Sequence, residues 1–71
     1  MNIANYAARY LEGKGIDIVT AIEVSLLLKH YDYSHKKAAL ELILDEFVAL
    51  LESYEGDTNK ALEVFESKLI K

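Results

Sequence analysis

From Leu40 to Tyr54 the apolar residues fall on one helical stripe: Leu40, Ile43, Leu44, Phe47, Leu50, Leu51 and Tyr54, with Ala39 at its start. That spacing follows the 3.6-residue helical period and contradicts the alternation of a strand. No proline occurs anywhere in the chain, and no glycine lies between Gly15 and Gly56. The stretch 35–53 is therefore expected as one helix of about 19 residues, roughly 28 Å long. Ser34 precedes it as a cap. A chain of 71 residues has room to pack only short helices against such an element.

The three glycines punctuate the rest. Gly13 and Gly15 end a first helix, expected over 2–12, whose Ile3, Ala4, Tyr6, Ala7, Ala8, Tyr10 and Leu11 fill one arc. Thr20-Ala21-Ile22-Glu23 has the form of a capping box, with Val19 and Val24 placed as a hydrophobic staple. A second helix is expected over 20–30, with Asp17 as the rival cap. On its wheel Ala21, Val24 and Leu28 form one apolar side and Ile22 and Leu26 another, the pattern of a helix packed between neighbours. Gly56-Asp57-Thr58 makes a turn into a fourth helix over 58–70, with Ala61, Leu62, Phe65 and Leu69 inward. No strand pattern and no internal repeat is legible. The expected fold is all-α: a single domain over 1–71, a compact four-helix bundle-like arrangement with a long central third helix.

Composition narrows the function classes. There is no cysteine, so neither disulfides nor thiolate metal sites support this small core. Apolar residues make up 52%, too many for a disordered chain. No apolar run approaches 18 residues and the N-terminus lacks a signal-peptide order, so a cytoplasmic protein is expected. Lysine outnumbers arginine seven to one, in keeping with an AT-rich bacterial or phage genome. The net charge is −4 and uneven. Residues 1–38 hold five basic and four acidic side chains, whereas 39–71 hold three basic and eight acidic.

The stretch KHYDYSHKK, 29–37, collects both histidines. As a helix-turn-helix it would present Ser34, His35, Lys36 and Lys37 at the start of a recognition helix. Beyond Lys37 that helix offers Glu41, Asp45 and Glu46 and no further base, so DNA reading stands as the alternative and the stretch is read as a helix junction. A metal site on His30, Asp32 and His35 would straddle a helix break, and none is expected. Glu41 and Asp45 lie one turn apart like a catalytic carboxylate pair, but a solvated acidic face has the same spacing, and four short helices leave little room for a water-excluding cleft. No enzyme and no cofactor is expected.

GDTNKALEVFESKL, 56–69, is similar to the first helix of a tetratricopeptide repeat, although partner helices do not follow at the 34-residue period. It also resembles the last helix of a ubiquitin-associated domain, whose middle helix is far shorter than 35–53.

What remains is surface. Leu27, Leu42 and Val48 exceed what one small core needs. The expected function is a non-enzymatic protein-interaction module of adaptor or inhibitor type. Its expected protein-binding residues are Glu41, Leu42, Asp45, Val48, Ala49 and Glu52 on the third helix, facing a partner with a basic surface. The two-sided second helix and the Leu42–Val48 side of the third add the expectation of a homodimer.

Overall fold

The computed structural model describes residues 3–31 and 37–70, except for the side chains of Ile3, Lys37 and Ala38. Four helices account for it: α1 (Ile3–Gly13), α2 (Ile18–His30), α3 (Lys37–Ser53) and α4 (Thr58–Leu69). No strand occurs among the described residues. None of their helices is long and apolar enough to cross a membrane.

The second helix starts earlier than its capping-box motif indicates. Asp17, not Thr20, is the N-cap, and its carboxylate accepts from the backbone N–H groups of Val19 at 3.1 Å and Thr20 at 3.4 Å. A carboxylate satisfies two orphan donors at once and complements the positive end of the helix dipole, which a hydroxyl does less well. Thr20 then lies inside the helix and is buried, while Val19 is 61% exposed and forms no staple with Val24. Ser25, on the polar edge by sequence, is also buried; its hydroxyl donates to the Ile22 carbonyl at 2.7 Å.

The turn after α1 and the turn after α3 share one hydrogen-bond pattern, displaced by forty positions. The Ile16 N–H donates to the Leu11 carbonyl and the Gly15 N–H to Glu12. Forty residues on, Gly56 donates to Leu51 and Glu55 to Glu52. Each is a Schellman motif, with Gly15 (φ +88°) and Glu55 (φ +55°) at the left-handed position. The cap that follows repeats as well. Asp57 accepts from the Lys60 N–H, and the carbonyls of Asp17 and Asp57 accept from Ala21 and Ala61. Leu11/Leu51, Glu12/Glu52, Asp17/Asp57, Ala21/Ala61, Glu23/Glu63 and Val24/Val64 are identical pairs at that displacement. The two hairpins thus share a turn-and-cap pattern, although Gly56 is also left-handed (φ +83°) where Ile16 is not, and most intervening positions differ, as at Ser25/Phe65 and Leu28/Lys68.

The hairpins stack side by side. α1 packs on α2 and α3, and α4 packs on α3 and α2. Tyr6 bonds Glu41, Tyr10 bonds Asp45 and Tyr31 bonds Glu66, so α1 runs parallel to α3 and α2 parallel to α4. The shortest dimension is 19 Å, the thickness of two helix layers. Between the layers lie Leu11, Val24, Leu28, Leu40, Leu44 and Leu69, around an edge-to-face contact of Phe47 and Phe65 at 5.3 Å. Ala7, Ala21 and Ala61 are fully buried and let the backbones approach. The buried part of α3 is narrower than its apolar stripe. Leu40, Leu44 and Phe47 are buried, Ile43, Leu50, Leu51 and Tyr54 half-buried, and Ala39 exposed. In a two-layer stack each helix has an outward side that no other helix covers.

Candidate protein-interaction site

The sides of α3 have different surroundings. One faces α1, where the Tyr6 hydroxyl donates to Glu41 and the Tyr10 hydroxyl donates to Asp45 at 2.8 Å. The two tyrosine rings stack at 6.3 Å, and the Lys14 ammonium lies 5.3 Å from the Tyr10 centroid. Ionising either phenol would break its bond to a carboxylate, and burial and carboxylate charge add to the cost. Both Tyr6 and Tyr10 are pushed up to about 12. The third pair, Tyr31 donating to Glu66 at 2.8 Å, joins α2 to α4, and Tyr31 is likewise raised. Three phenol–carboxylate bonds therefore join the two hairpins.

This geometry divides the six residues singled out on the third helix. Glu41 and Asp45 bond to α1 within the fold. Val48 is half-buried against the core. Leu42, Ala49 and Glu52 are exposed, Leu42 to 70%. The structure brings Leu42 and Ala49 together with residues that the sequence pattern did not single out. A groove of about 570 Å³ is lined by Ala39, Leu42, Ile43, Glu46 and Lys68. A second, of about 300 Å³, continues it along α3 past Ala49, Leu50 and Ser53, sharing Glu46 and Lys68. Ala39, Ile43 and Leu50 had been counted with the core by their spacing. A finer division of the stripe separates them, since 39, 43, 46, 50 and 53 themselves keep a three-to-four spacing. Lys68 comes from α4, and no local pattern points to it.

Between α2 and α4 a groove of about 480 Å³ is lined by Glu23, Leu26, Leu27, His30, Leu62 and Glu66. His30 is exposed and packs edge-on against Tyr31 at 4.8 Å. Asp32 and His35, its partners in the weighed metal site, lie outside the described residues, as do Ser34 and Lys36 of the weighed DNA-reading segment. The described residues contain no group of three potential ligands close enough to hold an ion. The carboxylates of Glu41 and Asp45, spaced like a catalytic pair, each accept a tyrosine hydroxyl.

No family model, curated protein or solved structure matches the chain.

Proposed function

We propose that the chain is a cytoplasmic, non-enzymatic protein-interaction module of adaptor or inhibitor type, which docks a partner on the outward face of α3. The observation that carries this reading is Leu42, 70% exposed on the longest helix and set in a groove with Ala39 and Ile43. A lone exposed leucine is ordinary. This one lines a groove that adjoins a second along α3 at Glu46 and Lys68, a shape suited to an amphipathic helix with apolar anchors one turn apart. Glu46 lines the groove, and Asp45 and Glu52 are exposed on the same helix. Carboxylates at the border favour a partner whose anchors are flanked by lysine or arginine, with association accelerated at low salt. The same carboxylates oppose a phosphate backbone.

The test compares the parent with Leu42→Asp as immobilised bait in cell extract. Leu42 is exposed, so the variant keeps its helical circular-dichroism signal. The expected result is a protein retained by the parent, released as salt rises and not retained by the variant. Identical retained proteins on both baits would remove α3 as the docking face. Duplex DNA titrated at about 50 and 200 mM salt should show weak or no binding. Tight binding that weakens steeply with salt would replace the interaction reading with a nucleic-acid one.

A further inference from the structure

The outward side of α2 is apolar, and among the described residues no helix covers it, although Leu26 at its edge also borders the groove with α4. Ile18 and Ile22 are 44% exposed, Leu26 55% and Val19 61%. These residues follow one another on successive turns, away from the buried Ala21, Val24 and Leu28. The stripe is about 12 Å long.

The second hairpin, aligned by its turn and cap, supplies a comparison. Forty positions on, α4 carries Thr58 for Ile18, Asn59 for Val19, Leu62 for Ile22 and Glu66 for Leu26. In α4, Leu62 lines the groove with α2 and Glu66 accepts the Tyr31 hydroxyl. Ile22 and Leu26 are therefore the positions by which a second helix of a hairpin meets its counterpart in the next hairpin. On α2, Ile22 is 44% exposed and Leu26, at the edge of the same groove, 55%, and Leu26 is apolar where α4 has Glu66.

We propose that this side of α2 is a homodimer interface, in which α2 of one copy packs on α2 of another across a two-fold axis. Two features select a second copy. The first is charge. Glu23 and Lys29 are the only formal charges on α2 and they cancel, while residues 39–71 hold three basic and eight acidic side chains. α2, like α1 with Arg9 and Glu12, carries no net charge, so two chains of net charge −4 approach through it with less repulsion than through α3. The second is matching. Head-to-tail stacking, the alternative contact between copies, would set the α2 stripe against the position on α4 that corresponds to Leu27. That position is Ser67, with exposed Lys60 and Lys68 on the same helix. A two-fold axis instead sets isoleucine and leucine against isoleucine and leucine, and it closes at two copies rather than growing into a filament. One helix from each copy makes a small interface, at the weak end of specific association.

The interface lies apart from the α3 groove, so either can fail without the other. Sedimentation velocity of the whole chain over about 5 to 500 μM should show a mass rising from 8.0 kDa toward twice that value. Ile22→Glu/Leu26→Glu should keep the helical signal and stay at 8.0 kDa throughout, whereas Leu42→Asp should dimerise like the parent. Because the chain has no cysteine, Ile22→Cys introduces a single thiol. Mild oxidation should link it rapidly into a disulfide dimer, with Leu42→Cys linking far more slowly; this arm decides the matter even if the charged variant unfolds. A parent that remains at 8.0 kDa, a dimer undiminished in Ile22→Glu/Leu26→Glu, or a dimer lost in Leu42→Asp would each overturn the proposal.

Discussion

Glu55 occupies a position that its counterpart in the first hairpin gives to glycine, and replacing it tests the shared turn directly. Its φ is +55°, against +88° for Gly15, and both residues donate the second bond of a Schellman motif. A side chain in the left-handed region costs about 1–2 kcal/mol. Glycine escapes that cost but gains freedom in the unfolded chain, which takes back roughly 0.5–1 kcal/mol. Glu55→Gly should therefore stabilise by about 0.5–1 kcal/mol. For a domain of this size each kcal/mol moves the melting midpoint by about 4–8 °C, so a rise of roughly 2–8 °C is expected. The reciprocal change is equally clean, because a Cβ at Gly15 would meet no atom within 4 Å. Gly15→Ala thus pays only the backbone term and should lower stability by about 1 kcal/mol. Thermal melts followed by circular dichroism read both variants. A lower midpoint for Glu55→Gly, or none lost for Gly15→Ala, would refute the view that positions 15 and 55 share one left-handed requirement.

Two further outcomes follow from the joint and the core. The raised phenols of Tyr6 and Tyr10 contribute stability that is complete below pH 10 and is lost as pH climbs through about 12. Urea midpoints should fall across that window, and Tyr6→Phe/Tyr10→Phe should flatten the fall; an unchanged slope in the double variant would exclude these residues as its source. Phe47 is fully buried against Phe65. Losing such a ring costs about 3–5 kcal/mol before any charge is buried, and a domain this small has only a few kcal/mol in hand. Phe47→Asp should therefore be largely unfolded at 25 °C by circular dichroism, and a melt like the parent's would contradict the packing.

Helix number, order and approximate ends were legible in the chain, because the 3.6-residue period and the glycines act locally. The cap of α4 was narrowed to Asp57 or Thr58, and the structure places it at Asp57. The start of α2 was not legible, because Thr20 and Asp17 both offer acceptable cap chemistry and the choice depends on whether Thr20 is buried in the assembled fold. Periodicity identified α3 as having one apolar side and one acidic side. It could not say that Glu41 and Asp45 would be engaged by tyrosines thirty-five residues away, or that Ile43 and Leu50, packed against the core, would also line a groove on its outer side. A wheel records angle about one axis. What covers each angle depends on where the other helices lie. For α2, sequence alone determined that two sides are apolar. Only the stacking of the helices decided that Ala21, Val24 and Leu28 face the interior while Ile22 faces outward and Leu26 borders the groove with α4: α1 and α4 together close one side of α2, and among the described residues no helix lies over the other.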